Sequence, residues 1–469
     1  MDMGSTVFER QPPAPGVVSE ALRGTRQSVF WLDSDGLPPG FRTAHPSLVG
    51  DRTADLVVVG GGYTGLWTAV RAKERDPSRS VVLLEASTIG WAASGRNGGF
   101  CEASLTHGHE NGVSRWPDEI DTLEAWGLQN LDDIAATVER YGMDVEFERT
   151  GTLSVAVEPH QVEWLREEPD FRDAAATRAL VDSPTYLAGS WEESGTALVH
   201  PAKLALELAR VAVSLGVEIY EHSRVTALGD GVVTTTRGWV RASQIALATN
   251  VFPSLLRRNR LMTVPVYDYV LVTEPLSASQ RASIGWDGRQ GLADLANQFH
   301  YYRQTADGRI LFGGYDAVYY PGGKVRSSYE DRPESFARLA SHFFTTFPQL
   351  EGLRFTHKWA GAIDSCSRFC AFFGTARGGS VAYATGYTGL GVGASRFGAD
   401  VMLDLLSGSA TERTASRMVR ERPLPFPPEP AASVGISLVR GAMNRADHRE
   451  GRRGLFLKTL DAVGMGFDS

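Results

Sequence analysis

The run DLVVVGGGYTG, residues 55–65, constrains this chain more than any other stretch. An unbroken β-branched run such as LVVV belongs to a strand buried on both faces of a parallel sheet. Gly60, Gly62 and Gly65 follow at G-x-G-x-x-G spacing, and LWTAVRAKERD then reads as a helix ended by Asp76-Pro77. A second apolar run, SVVLLEA, completes a strand–turn–helix–strand unit of about thirty residues, the size of a βαβ crossover. Each glycine has a separate role there. Gly60 permits the tight turn, Gly62 lets backbone approach a pyrophosphate, and Gly65 lets the helix pack on the strand. The amides of Tyr63 and Thr64 at the helix start then face the anion. Glu85, twenty residues beyond Gly65 and followed by Ala86, stands where a carboxylate can accept from both hydroxyls of a ribose. A plain glycine turn is the rival reading. With strand, helix and carboxylate all in place, the spacing predicts a dinucleotide site.

The rest of the composition narrows the class. Fifty glycines in 469 residues suit a protein that brings its backbone close to a ligand. A net charge of −8 argues against a nucleic-acid partner. Three cysteines, Cys101, Cys366 and Cys370, are too few for a disulfide framework. No secretory leader pattern and no long apolar stretch stand in the sequence, so a cytoplasmic protein without a spanning helix is expected. His107 and His109 alternate in a polar loop with no third ligand at a sensible spacing, and no metal is expected.

A second bare loop, GWAASGRNGGFC at residues 90–101, follows the second strand. A simple nicotinamide module has no need of it. A flavin adenine dinucleotide does, because its tricyclic ring runs deep into the protein past close backbone. Gly98 and Gly99 then leave room for the ring, while Ser94, Arg96 and Asn97 supply polar groups for phosphate or ring oxygens. A flexible surface turn is the alternative.

Together VVVGGGYTGLWTA, LLEA, ASGRNGG, HPAKLALELARVAVSLGVEIYE and ATGYTGLGVGAS resemble the D-amino-acid oxidase superfamily of FAD-dependent oxidoreductases. The form GWAASGRNGG is most similar to its gamma-glutamylputrescine-oxidase-like branch. The resemblance runs from about Asp55 to Gly408. It implies an α/β fold: a doubly wound, glutathione-reductase-like Rossmann domain that binds FAD, interleaved with an α+β substrate domain built on an antiparallel sheet. The expected partition is an arm at 1–50, an FAD-binding domain at 51–110, 195–264 and 355–410, a substrate domain at 111–194 and 265–354, and a linker with a basic helical segment at 411–469. The resemblance also puts Val225 beside the adenine and Ala248, Thr249 and Asn250 beside the pyrophosphate. Gly386, Thr388, Gly389, Leu390 and Gly391 form the loop and helix start beneath the flavin, where a helix N-terminus favours the charge of the reduced ring. Disulfide reductases are set aside because Cys101 has no nearby partner, and aromatic hydroxylases because their GD signature is replaced by TGYTG.

The implied chemistry is removal of a hydride from the carbon next to a neutral amine nitrogen to flavin N5. Water hydrolyses the imine, and O2 reoxidises the flavin to give H2O2. Electron transfer to a quinone or protein acceptor is an alternative, and a non-catalytic flavin protein is another. Positioning and a dry pocket do most of the work in such a reaction. Candidate pocket residues are Tyr267 and Tyr269, which share one strand face, Tyr302 and Arg303, which point oppositely, Lys358 and Tyr387. Ordinary sheet packing or ion pairing competes for each. The element SCSRFCAFFG departs from the family's threonine, aspartate and proline, which withholds any borrowed substrate. Cys366 lies near a position of covalent flavin attachment in some relatives, but a buried free thiol and non-covalent FAD are expected. A homodimer is compatible with the sequence.

Overall fold

The computed structural model describes residues 4–462, so the first three residues of the arm and residues 463–469 of the C-terminal segment lie outside the described residues. The apolar run opens an eight-stranded sheet in which Trp239–Leu247, Arg52–Val59, Val81–Leu84 and Glu218–Tyr220 lie parallel. Leu56 to Val59 pair in register with Val81 to Leu84. None of these eight side chains is more than 4% exposed, as a strand covered on both faces requires. The two-residue alternation divides them. Leu56, Val58 and Leu83 pack with Leu66, Trp67 and Val70 of the helix Tyr63–Arg75. Val57, Val59, Val82 and Leu84 pack on the other face with Ile245, Leu247 and Val381. Full burial of each such side chain stabilises by about 1.5–3 kcal/mol, so the crossover is a well-anchored platform. Val381–Thr385 adds a further parallel partner for Trp239–Leu247, and the helix Gly391–Ser407 follows it.

A ten-stranded sheet, mainly antiparallel, is built around Thr263–Thr273, Phe355–Cys366, Ile310–Gly314 and His300–Gln304. Its faces differ in partner. Tyr267, Tyr269, Leu271, Tyr302 and Phe312 pack with Phe336, Leu339 and Phe343 of the helix Pro333–Thr346. Val270, Val272, Leu311 and Trp359 point the other way, onto Phe30 and Trp31 of the arm and Ala202. Phe30 and Trp31 are at most 2% exposed, and the arm adds Arg26–Gln27 as a parallel edge strand.

The C-terminal segment forms the helices Ala431–Asp447 and Leu455–Ala462. It packs on its own chain: the Asp447 carboxylate accepts from the Asn297 backbone N–H at 2.9 Å and from Asn297 Nδ2 at 2.7 Å. Among the described residues, no helix is long and apolar enough to cross a membrane.

Candidate active site

Gly62 is the N-cap of the helix Tyr63–Arg75 and offers no side-chain cap of its own. A small residue here keeps the first turn open to a ligand, at the cost of the usual capping bond. Ser94 Oγ accepts from the Tyr63 N–H at 3.0 Å, so the second bare loop reaches this helix start directly. Glu85 is 7% exposed and serves three donors: Gly61 N–H at 2.7 Å on one oxygen, Ser87 N–H at 2.7 Å and Trp91 Nε1 at 2.9 Å on the other. A carboxylate offers about four lone-pair directions, so most of this one is spent on ordering the glycine turn and the 87–91 segment. Val225 begins the strand Val225–Leu228 just beyond Ser223, whose N–H donates to the Glu85 carbonyl at 2.7 Å. The Ala248 N–H donates to Val59 O at 2.9 Å, which seats Ala248, Thr249 and Asn250 beside the glycine turn.

The loop at 90–101 is fixed by groups that sequence reading did not single out. Trp31 Nε1 donates to Asn97 O at 3.0 Å and Trp359 Nε1 to Arg96 O at 2.8 Å. Arg96 itself pairs with Glu330 at 2.5 Å and donates to Trp91 O at 2.9 Å. Asn97 donates to Ala93 O at 3.0 Å and Ser94 O at 3.1 Å and accepts from Gly99 N–H at 2.8 Å. The donors expected to meet a phosphate or ring oxygen are here engaged by the protein. The glycines also have another use. A Cβ on Gly98 would stand 2.7 Å from the Tyr301 ring, and one on Gly99 2.5 Å from the Arg303 guanidinium, so their bareness lets the large sheet approach.

On the C-terminal side, Gly386, Thr388 and Gly389 take positive φ values of 77°, 51° and 101°, and Leu390 leads into the helix at Gly391 without a side-chain cap. Tyr387 accepts from Thr64 Oγ at 3.0 Å, tying this loop to the fingerprint helix. Beneath it lies Asp364, which the motif reading missed. Its carboxylate takes the Gly386 N–H and, at 3.1 Å, the Thr385 hydroxyl. With its amide nitrogen turned inward, Asn250 donates to Asp364 Oδ1 at 2.6 Å. Burial pushes Asp364 up to about 6, against the pull of these donors. A carboxyl raised in the folded state binds more protons there than in the unfolded chain. Its contribution is therefore fully present below the ordinary aspartate range and is lost as pH rises to about 6. Thermal midpoints of Asp364→Asn and the parent, measured from pH 4 to 7, are expected to differ in slope. The parent loses stability relative to the variant across that window, and parallel profiles would contradict the assignment.

Cys366 is 1% exposed, its Sγ lies 3.1 Å from Cys370 O and 3.4 Å from Gly386 O, and burial raises its thiol. Such a thiol is a poor nucleophile. Its packing fits non-covalent FAD. His109 pairs with Glu124 at 2.7 Å, and no group of three potential metal ligands occurs among the described residues.

The expected pocket residues are distributed differently. Tyr267 accepts from the Arg326 N–H at 2.8 Å, Tyr269 bonds Tyr320 at 2.8 Å, and Tyr302 bonds Tyr186 at 2.7 Å. All three lie on the face covered by the helix Pro333–Thr346, away from the 90–101 loop. Lys358 pairs with Asp331 at 2.9 Å and lies over the Phe336 ring of that same helix. Arg303 does face the loop, but its guanidinium donates to Val199 O at 2.7 Å and Gly99 O at 3.4 Å. Also turned toward the loop from the sheet are Tyr301, edge-on to Phe100 with ring centroids 5.8 Å apart, and Asp268, which accepts from the Tyr301 hydroxyl. The alternation that groups Tyr267 with Tyr269 also sets Asp268 on the opposite side. That signal was available in the sequence.

Residues 55–405 match the family of FAD dependent oxidoreductases, and the chain belongs to it. FAD is its cofactor, and the glycine turn leading into the helix at Tyr63 and the Glu85 corner fit that group. The chain is 30% identical to gamma-glutamylputrescine oxidoreductase of Escherichia coli (strain K12) over 397 residues, 80% of this chain and 88% of that one. It is 27% identical to the probable oxidoreductase OrdL of Haemophilus influenzae over 390 residues, 77% of this chain and 85% of that one. Its fold is similar to that of glycine oxidase from Geobacillus kaustophilus, with a TM-score of 0.66 at 18% identity over 79% of this chain and 99% of that one.

Proposed function

We propose that this enzyme oxidises the C–N bond of an amine or amino acid and returns its electrons to O2. Bound FAD supplies the acceptor for the hydride on the carbon next to the substrate nitrogen, and its reoxidation by O2 yields hydrogen peroxide. The chain's own residues hold, orient and exclude water. Gly60, Gly62, Gly65 and Glu85 would take the adenosine and pyrophosphate end, with the 248–250 turn beside it. The 93–99 loop and the 386–391 loop would border the flavin. In this reading the FAD-binding part comprises 51–110, 195–264 and 355–410, and the substrate part 111–194 and 265–354.

The observation that carries the reading is the likeness to a relative whose name states gamma-glutamylputrescine, an amine-bearing compound, as what it acts on. That likeness spans both sheets. The geometry supports it: the polar loop and the large sheet approach each other at glycines. The test is anaerobic mixing of the FAD-loaded protein with a panel of primary amines, secondary amines and amino acids. At least one should bleach the flavin band, and admitting air should restore it with one hydrogen peroxide per turnover. A panel that leaves the band untouched contradicts the reading. Bleaching without recovery in air would move the acceptor from O2 to another oxidant.

A further inference from the structure

The basic side chains that could hold a substrate carboxylate at this site are already committed. Arg96 is paired with Glu330 and Arg303 is bound to backbone carbonyls, while Lys358, on the opposite face of the sheet, is paired with Asp331. Arg368 likewise donates to the carbonyls of Met418 and Glu421, each at 3.0 Å. Asp268, on this face, is bound by the Tyr301 hydroxyl and is in no ion pair among the described residues. Asp268 is half-buried, as are Tyr301, Phe100 and Gly361 around it. The register places Asp268 opposite Gly361, over which Arg96 lies with its Cβ 3.7 Å from where a glycine Cβ would stand. Asp268 therefore lies on the face of the large sheet that meets the 96–100 loop.

We propose that Asp268 receives the cationic nitrogen of the substrate, so that the substrate class is an amine anchored through its ammonium group rather than an amino acid anchored through its carboxylate. This rests on the amine-oxidation reading above. An amine is mostly protonated at neutral pH, and hydride leaves only from the carbon beside a neutral nitrogen. The proton passes from the ammonium N–H to the Asp268 carboxylate, giving a neutral amine with its lone pair and a neutral carboxylic acid. No other bond changes, and the two buried charges cancel, which removes the penalty of holding either alone.

Tyr301 is the positioning residue. Its hydroxyl donates to Asp268 Oδ2, and its ring is fixed against Phe100 in space left by Gly98 and Gly313. Burial pushes the Asp268 carboxyl up to about 6, and the like charge of Asp316 adds to this, while Tyr301 and the Tyr269 and Gly314 amides oppose it. Arg96, the basic group over the neighbouring Gly361, is neutralised by Glu330. A carboxyl poised there accepts a proton near neutral pH more readily than an exposed aspartate. Glu102 lies two residues from Phe100, on the same side of the strand Phe100–Glu102, and burial pushes it up to about 7, which favours its neutral form.

The test uses the FAD-loaded protein and two inert probes of one shape. In tert-butylammonium chloride the carbon next to nitrogen has no hydrogen to lose, so it binds without turnover, and sodium pivalate is its carboxylate counterpart. Thermal midpoints titrated with each probe should rise with tert-butylammonium and not with pivalate. Asp268→Asn should weaken that response at least ten-fold, and Asp268→Glu should restore part of it. With an oxidisable amine, Asp268→Asn should slow flavin bleaching about a hundred-fold, the order expected for loss of a general base. It should also lose the acid limb of the parent's pH profile. Tyr301→Phe should shift that limb with a smaller loss of rate. Parent protein that responds to pivalate and not to tert-butylammonium overturns the proposal, whatever becomes of the variants. So does an Asp268→Asn protein that binds and bleaches like the parent; if amines bleach both, the oxidation reading survives without Asp268. If no amine bleaches the parent, that reading fails, and Asp268-dependent uptake of tert-butylammonium would still support the cation site.

Discussion

Replacing Gly65 by alanine is expected to yield protein that carries little or no FAD and melts well below the parent. A Cβ there would stand 1.9 Å from the Gly60 carbonyl oxygen and 3.2 Å from Val58 Cγ1. The nearer contact is backbone, so no side-chain rotation relieves it. Either the helix Tyr63–Arg75 lifts from the strand or the Gly60 turn shifts, and both movements carry the helix amides away from where a pyrophosphate would lie. Overpacking of this kind costs about 1–3 kcal/mol or more. Gly16 is the control. It lies in the helix Pro15–Ala21, where an added Cβ meets nothing within 4 Å. Gly16→Ala should be neutral or slightly stabilising and leave the flavin content unchanged. The flavin absorbance per chain and the thermal midpoint of both variants decide the matter. A Gly65→Ala protein as yellow and as stable as the parent would remove the close helix–strand contact from the account.

Glu85→Gln is the second large effect expected. The partners of this carboxylate are all donors: the Gly61 and Ser87 amides and the Trp91 indole. A glutamine keeps the size but turns an NH2 group toward at least one of them, and it removes the charge that strengthens the remaining bonds. Leaving a buried donor unsatisfied costs about 1–3 kcal/mol, which corresponds to roughly ten- to a hundred-fold weaker FAD binding. The loss falls on the cofactor because the disturbed donors belong to the glycine turn and to the loop that leads into residues 90–101. Titration of the apo-variant with FAD, followed by flavin fluorescence, measures it. An affinity within two-fold of the parent would show that Glu85 orders neither segment.

Local chemistry explains what could be read in advance. A β-branched run, three glycines and a carboxylate at fixed spacing lie within about thirty residues and need no distant partner to be interpreted. The second bare loop was legible for the same reason. Which side of the large sheet faces it was not. Alternation states that Tyr267 and Tyr269 share a face and that Asp268 does not, but the pairing with Phe355–Cys366 and the cover of Pro333–Thr346 choose which face meets the loop. Tyrosines drew attention because they are large, yet they belong to the aromatic packing beneath that helix. Arg96 and Asn97 were read as ligand donors, but Arg96 pairs with Glu330, far away along the chain, and the Asn97 amide is spent inside its own loop on Ala93 O, Ser94 O and the Gly99 N–H. Asp364 escaped notice because its donors, Asn250 and Gly386, come from two other segments.

The central claim is that one FAD is clasped between the fingerprint helix and the 90–101 loop. It is tested most directly by stripping the protein of cofactor and titrating it in parallel with FAD, FMN and NAD. One equivalent of FAD per chain should bind tightly and restore the yellow spectrum. FMN lacks the adenosine half that the Glu85 corner would receive in the proposed reading, and NAD lacks the flavin ring, so neither should compete. Uptake of NAD as strong as that of FAD, or a protein that stays colourless when FAD is offered, would contradict it.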